Sequence, residues 1–216
     1  LPLWRQPRAL AVEAVVGIAA VLALMFVLVG RPQPANAFGE RDWVVMGDLR
    51  NLTGDPGVAE ALETAFRISL EQSRFVNVLP ELALRNALER MQEPADVDVD
   101  RAIGSEIAVR EGARALILPT VADIGGRIRV SAEIVDPHTQ TTVYAEAADG
   151  VGLESSLASM DLVTARLRLS LGETLQAIER DSEPLPRVTS GDLEALKVFA
   201  AAEQKMFGGD MNAART

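Results

Sequence analysis

The sequence predicts an α/β (α+β) domain in which helices flank a mixed sheet, preceded by one transmembrane helix and followed by the start of an α-helical repeat. Three observations predict this fold class. Strand-length apolar segments and amphipathic segments succeed one another in the order β-α-β-α-α-β-β-β-α between residues 40 and 181. An apolar run covers residues 9–30, and apolar spacing of three and four residues resumes after residue 190.

The apolar run at residues 9–30 contains one charged side chain, Glu13, and is long enough as a helix to cross the hydrocarbon core of a bilayer. The stub before it, residues 1–8, carries Arg5 and Arg8, and this basic excess favours a cytoplasmic amino end. We therefore expect a single-pass membrane anchor.

A cleaved signal peptide is the alternative, because Ala35-Asn36-Ala37 has the small-residue pattern of a cleavage site. The anchor is favoured, since the run exceeds a normal signal core and Arg31-Pro32 intervenes. Either interpretation exports the rest of the chain, and in the anchored form residues 31–216 are periplasmic with residues 31–39 as a short linker.

Small residues in the run, Gly17, Ala20 and Ala23, allow close packing against a second copy, so a homodimer is a further expectation. Ordinary anchor composition explains these residues equally well. Because the chain starts at Leu1 and stops at Thr216 within a helical pattern, we expect it to be a fragment of a longer protein.

Composition narrows the class of function. The net charge of −10 argues against a nucleic-acid or anionic-membrane surface, since both reward clustered Lys and Arg. The absence of cysteine excludes disulfides, iron–sulfur clusters, thiolate zinc sites and a cysteine nucleophile.

The first half of the domain is predicted to alternate strands and helices. The predicted elements are strands at 43–49 and 75–79 and helices at 57–73, 80–92 and 101–111. Asp55 is expected to cap the first helix with Pro56 at its first position. Asp100 is expected to cap the third helix, which Gly112 would end in a left-handed conformation.

The second half is predicted as a three-stranded meander and then a long helix. The predicted elements are strands at 115–124, 127–135 and 142–147 and a helix at 153–180. Gly125-Gly126 is a two-residue hairpin signal. Residues 182–189, which include Pro184 and Pro186, are expected to be a second linker before a helix at 190–207.

The order of these elements carries a family resemblance. The stretch from Arg41 to Gly150, with its Asn-Leu-Thr-Gly-Asp-Pro loop, its Arg-Phe-Val-Asn-Val-Leu-Pro strand and its Asp-Pro-x-Thr hairpin, resembles the TolB-amino-terminal-like domains of bacterial signalling proteins. The resemblance implies that residues 40–181 form such a domain in the periplasm, anchored in the inner membrane. It also implies that residues 190–216, with Leu193–Phe199 and Gly208-Gly209-Asp210, are the truncated start of a tetratricopeptide-like repeat.

Among these proteins, the outer parts of adenylate or guanylate cyclases associated with peptide-modification systems are similar to Glu40-Arg-Asp-Trp-Val-Val, Ser69-Leu-Glu-Gln-Ser and Ala113-Arg-Ala-Leu-Ile-Leu-Pro-Thr. Transmembrane serine/threonine kinases share the layout. The resemblance implies a signal-transduction protein whose catalytic domain lies upstream of residue 1, and the present residues would then not be an enzyme.

The sequence offers three candidate sites. His138 is the only histidine and sits in a predicted hairpin tip, so a catalytic role is rejected. Asp96, Asp98 and Asp100 alternate as in a calcium loop, but Arg101 and Ile107 replace the required Gly and Glu, so a linker and helix cap are favoured.

The loop formed by Asn51, Thr53, Gly54 and Asp55 is the third candidate, because a loop that enters a helix can present backbone amides to an anion. A structural cap is favoured over a ligand loop, since Asp55 would occupy those amides itself. No catalytic residue, metal ligand or cofactor is predicted.

The leading hypothesis is a non-catalytic sensory or partner-binding region of a transmembrane signalling protein. Its expected partners are the membrane, through residues 9–30, and a protein or peptide, through the helical-repeat end, with no nucleic acid. An envelope assembly scaffold without an upstream enzyme is the rival. A hydrolase is disfavoured, because no nucleophile, base and orienting group can be assembled from the sequence.

Overall fold

The computed structural model describes residues 41–189, 193–200 and 202. The described residues form a six-stranded mixed sheet flanked by helices, which confirms the predicted fold class. The strands are β1 (Asp42–Met46), β2 (Arg50–Leu52), β3 (Val76–Val78), β4 (Ala115–Ile124), β5 (Arg127–Val135) and β6 (Thr142–Val151). The helices are α1 (Val58–Glu71), α2 (Glu81–Met91), α3 (Arg101–Glu111), α4 (Ser156–Ser170), α5 (Leu175–Asp181) and α6 (Leu185–Val188).

The sheet changes from parallel to antiparallel pairing at β4. Its order is β3-β1-β4-β5-β6, with β2 also paired to β4 beyond the end of β1. Strands β3, β1, β2 and β4 pair in parallel, whereas β4, β5 and β6 form the expected antiparallel meander. The first hairpin turns at Gly125 and Gly126, whose φ values of 65° and 83° fit the two-residue turn that the sequence predicts.

Two apolar cores lie on opposite faces of the sheet. On one face, α1 and α4 pack over all the long strands and bury large side chains such as Phe66 and Met160. On the other face, α2 and α3 cover only the parallel half, where Leu88 and Ile107 pack near Leu116. The second face of the meander therefore keeps exposed side chains, Arg129 and Ala147 among them.

The expected caps of the third predicted helix are confirmed. Asp100 accepts hydrogen bonds from the backbone N–H groups of Ala102 and Ile103, and Gly112 ends α3 with a φ of 69°. The start of α1 is later than expected. It begins at Val58, and the Asp55 carboxylate accepts a hydrogen bond from Gly57 N at 3.0 Å.

The prediction of one helix over 153–180 is wrong. The chain makes a 3₁₀ turn at Leu153–Ser155, α4 ends at Ser170, and α5 starts only at Leu175. Gly172, with a φ of 102°, breaks the helical path, and Thr174 starts α5 by accepting a hydrogen bond from Ala177 N. The apolar spacing continues through the break, although Ile178 is the one buried residue of α5 and Leu175 is 56% exposed.

The segments after α5 also pack on the domain. Leu185 in α6 is fully buried, and its backbone N–H donates to Asp161 Oδ2 at 2.9 Å. In the helical residues 193–200, Leu193 and Leu196 are buried in the core that α1 and α4 form.

The predicted anchor at residues 9–30, the stub, the first linker and most of the predicted repeat at 190–216 lie outside the described residues. Among the helices that are described, none has the length and apolar character needed to cross a bilayer.

Candidate functional site

A cleft of about 580 Å³ lies where α3 begins, beside the uncovered half of the sheet. Its walls come from the loop between β1 and β2, from the residues before α3, and from β4 and β5. We call it the sheet-edge cleft and define it by Asp48, Asn51, Arg101, Thr120 and Glu133.

Gly47 permits the crossing of two chain segments that forms the floor of the sheet-edge cleft. A Cβ atom at this position would lie 2.5 Å from the Val99 carbonyl oxygen and 2.7 Å from Leu118 Cδ2. Asp48 then bonds to Val99 in both directions: Asp48 N donates to Val99 O at 3.2 Å, and Val99 N donates to Asp48 Oδ2 at 2.8 Å. The residues before α3 are thereby fixed to the end of β1.

Two carboxyl groups behind this crossing have raised pKa values. Burial raises the pKa of Glu63, and the nearby Asp48 carboxylate raises it further. Burial also raises the pKa of Asp48, although the hydrogen bond from Val99 opposes this shift. Glu63 Oε2 accepts a hydrogen bond from Leu49 N at 3.3 Å, so its role in the structure is to hold the β1–β2 loop.

The opposite wall is a fixed group of polar side chains around Glu133. Arg101 Nη2 donates to Glu133 Oε2 at 2.6 Å, and Thr142 Oγ1 donates to the same oxygen at 2.5 Å. The hydrogen bond from Thr142 lowers the pKa of Glu133; partial burial opposes this shift and Arg101 reinforces it. Arg101 Nη1 also donates to Gln140 O, which ties the β5–β6 turn to α3.

The sheet-edge cleft opens onto the uncovered face of the meander. There Arg129 of β5 and Asp149 of β6 form a two-pronged ion pair, with N–O distances of 2.7 and 2.9 Å. Small side chains lie near this pair, including the exposed Ala145 and Ala147. This side of the meander is therefore exposed to solvent at these positions.

The free edge of β6 is partly closed. Arg166 of α4 donates from Nη1 to the Ala147 carbonyl oxygen at 2.7 Å. An exposed strand edge can pair with another chain, and a charged side chain on the edge suppresses such pairing. The uncovered face is therefore more open to a partner than the edge is.

The candidate loop from the sequence lies next to the sheet-edge cleft. Asn51 lines it, while the polar groups of the loop bond mainly to one another: Asn51 Oδ1 accepts from Thr53 N at 3.0 Å and from Thr53 Oγ1 at 2.7 Å. Asp55 contacts Lys197 Nζ at 3.1 Å, and Gly54 adopts a φ of 82°.

The structure also places His138, Asp98 and Asp100 from the other two candidate sites. His138 is exposed in the turn between β5 and β6, where its backbone N–H donates to Asp136 Oδ1. Asp98 and Asp100 line the sheet-edge cleft, and Asp100 also caps α3. Within the described ranges, no group of three or more His, Asp or Glu side chains is placed to hold a metal ion.

Sequence reasoning missed Asp48, Arg101 and Glu133, which the structure brings together from three separate segments. The one available signal was Asp48 and Arg50 directly after a buried strand, at the end where parallel sheets place their ligand-contacting residues. Nothing in the spacing of Arg101 and Glu133 indicated that they meet.

No protein-family model matches the chain, and no curated protein matches it. Solved structures do show likenesses. The LpoB C-terminal domain from Escherichia coli is 12% identical with a TM-score of 0.49, covering 58% of this chain and 94% of that one. Lipoprotein GNA1162 from Neisseria meningitidis is 16% identical with a TM-score of 0.43, covering 62% and 99%. TolB from Acinetobacter baumannii is 12% identical with a TM-score of 0.41, covering 63% and 29%.

Proposed function

We propose that this domain is a non-catalytic, protein-binding scaffold of the bacterial envelope, which holds a segment of a partner protein in the sheet-edge cleft and across the uncovered sheet face. The observation that carries the proposal is the continuity of the two surfaces. The cleft opens directly onto an accessible face whose polar side chains are already held in place by hydrogen bonds.

The polar groups of the cleft suit recognition better than chemistry. The Asp48 carboxylate accepts a hydrogen bond from Val99 N, and the Glu133 carboxylate accepts one from Arg101. Neither carboxylate is therefore poised as a base or a nucleophile. Fixed donors and acceptors at a partly solvated surface bind a partner with little loss of side-chain entropy.

The partner segment is expected to be basic. Four carboxylates line the cleft, against two guanidinium groups: Asp48, Asp98, Asp100 and Glu133 against Arg50 and Arg101. A segment carrying Lys or Arg would be attracted by this excess of negative charge.

The envelope location rests on the apolar run at residues 9–30, since an anchor and a signal peptide both export the residues after them. We propose the anchored form, single-pass in the inner membrane with its amino end in the cytoplasm and residues 31–216 in the periplasm. Residues 31–39 are then the linker, and the domain begins at residue 40.

A signalling role is the second candidate, and one contact favours it. Helical residues 193–200, where the repeat is expected to start, are buried against the core through Leu193 and Leu196, and Lys197 contacts Asp55. A partner bound to a repeat at 190–216 would therefore act on the domain directly, and through the anchor on an upstream nucleotide cyclase or kinase.

Photo-cross-linking in living cells tests the proposal. A photoreactive residue replaces Thr120 or Ala145 in the full-length protein, with the exposed Leu82 on α2 as the control position. We expect a discrete adduct at the first two positions, joined to a basic segment, and its loss in the variant Glu133→Lys. An equal yield at Leu82, or an adduct that tolerates Glu133→Lys, would overturn the proposal.

The reading frame upstream of Leu1 then separates the two candidate functions, the envelope scaffold and the signalling role. An encoded cyclase or kinase domain supports signalling.

A further inference from the structure

A second cleft, of about 380 Å³, lies beside α5, between the start of β1 and the α4–α5 junction. Three arginines line it, and we call it the arginine cleft: Arg41, Arg74 and Arg180. This local charge is opposite to the net charge of −10 that the whole chain carries.

The negative charges of Glu173 and Asp181, the two acidic residues of the arginine cleft, do not balance the positive charges of its three arginines. Arg180 binds Asp181 through two hydrogen bonds of 2.9 and 2.8 Å, and Arg74 Nε lies 3.6 Å from the same carboxylate. One carboxylate thus faces two guanidinium groups. Glu173 is already engaged from the interior by Arg168, so its charge is compensated there.

The arginines are accessible. The side chains of Arg74 and Arg180 are 79% and 68% exposed, and Arg41 is also exposed. The backbone beneath them is fixed: Arg41 N donates to Phe75 O at 2.8 Å, and Asn77 Nδ2 donates to Arg41 O at 2.8 Å. A phosphate group fits this arrangement, because guanidinium groups bind phosphate oxygens in pairs.

Few residues separate the arginine cleft from the proposed anchor along the sequence. Only residues 31–40 lie between the apolar run and Arg41. Basic side chains close to a membrane surface are attracted to anionic lipids.

We infer that the arginine cleft binds the phosphate headgroup of an anionic phospholipid in the membrane that anchors the chain. The inference rests on the proposed envelope location and not on partner binding, since the sheet-edge cleft shares no residue with it. Headgroup binding would fix the orientation of the domain on the membrane.

The test uses the full chain in lipid nanodiscs of phosphatidylcholine alone or mixed with phosphatidylglycerol. Hydrogen exchange of backbone amides is measured over residues 172–181. We expect exchange to slow by about tenfold when phosphatidylglycerol is present, because two or three arginines at an anionic surface supply at least that factor. The double variant Arg74→Gln, Arg180→Gln should lose this protection.

A matched double variant, Arg127→Gln with Arg187→Gln, removes two exposed arginines elsewhere and should keep the protection. Equal exchange in both lipids, or equal loss in the matched variant, would overturn the inference. Inorganic phosphate added to phosphatidylcholine nanodiscs separates the sources. Protection by free phosphate at low concentration would assign the cleft to a soluble anion instead. The cross-linking result at Thr120 stands or falls independently of all these outcomes.

Discussion

Arg168 and Glu173 are joined by two parallel hydrogen bonds inside the domain, across the end of α4. Arg168 Nε donates to Glu173 Oε2 at 2.8 Å and Nη2 donates to Oε1 at 2.7 Å, and the two side chains are only 3% and 4% exposed. Ser73 Oγ, which accepts from Val76 N, donates to Glu173 as well. The pair therefore connects the α4–α5 junction to the end of α1 and the start of β3.

Removing one partner of this pair should destabilise the fold strongly. The variant Glu173→Gln leaves a buried guanidinium without its counter-charge, a change that typically costs about 3–5 kcal/mol. Urea denaturation monitored by circular dichroism measures the loss. The double variant Arg168→Met, Glu173→Leu should recover much of it, and a double variant as unstable as the single one would contradict the proposed energetics of the pair.

The same pair predicts a loss of stability in acid. Burial alone would raise the pKa of Glu173, but the hydrogen bonds from Arg168 and Ser73 prevail and lower it. A carboxyl group with a lowered folded-state pKa contributes stability above its unfolded pKa, and this contribution is lost as the pH falls through the folded value. The stability difference between the parent and Glu173→Gln should therefore shrink below about pH 4. A difference that stays constant down to about pH 2, below the ordinary range of a glutamate, would be evidence against the ion pair.

Glu63 should behave in the opposite way. Its pKa is raised by burial and by Asp48, so the folded state disfavours its charged form at neutral pH. The variant Glu63→Gln keeps an acceptor for Leu49 N and should raise the melting temperature at neutral pH. The gain should disappear as the pH falls below the usual pKa of a glutamate. Glu60→Gln, an exposed residue on the same helix, is the control and should change little.

Gly47 should tolerate no side chain. Alanine would place its Cβ 2.5 Å from the Val99 carbonyl oxygen, which belongs to the backbone and cannot move aside. We expect Gly47→Ala to cost about 1–3 kcal/mol, as overpacking usually does, and to weaken cross-linking from Thr120. Gly57→Ala is the matched control, because the nearest atom to its Cβ would be Asp55 Oδ1 at 3.5 Å. Similar losses in both variants would remove the steric explanation.

Arg166 should limit self-association through β6. Its guanidinium covers the Ala147 carbonyl, so Arg166→Ala exposes one more acceptor on the sheet edge. Sedimentation of the chain in detergent should show a larger oligomeric fraction for this variant. Arg187→Ala, which removes an arginine that is 76% exposed, should leave the distribution unchanged. An unchanged distribution in both variants would show that the edge is closed by other means.

Local patterns predicted most of the fold. The strands of the meander, the turn at Gly125-Gly126 and the Asp100 cap each depend on residues close together in the chain, where periodicity and turn chemistry act directly. The helix break at Gly172 was hidden, because the apolar spacing of α4 continues in the sequence through Leu171 and Leu175 to Ile178. Arg168 gave a signal that is visible in hindsight: it lies beside Leu167 and Leu171 on the apolar side of the helix.

The candidate site was less accessible to sequence reasoning. Asp48, Arg101 and Glu133 meet only after β1 and β4 pair and α3 packs on them. Such meetings depend on tertiary register, which residue spacing does not encode. Only Asn51 of the predicted loop reaches the sheet-edge cleft.

The double role of β4 bears on the order in which the chain folds. Its antiparallel pairing with β5 joins neighbours across a two-residue turn, whereas its parallel pairing joins Val44 to Ala115, far apart along the chain. Closing the long loop between Val44 and Ala115 carries the larger loss of chain entropy. The β4–β5 hairpin should therefore form first, and β1 should pair with the free edge of β4 later. During that interval the apolar edge of β4 is exposed to other chains. A newly synthesised molecule would then be most vulnerable to aggregation through β4, and a partner or chaperone that shields this strand early would raise the yield of folded protein.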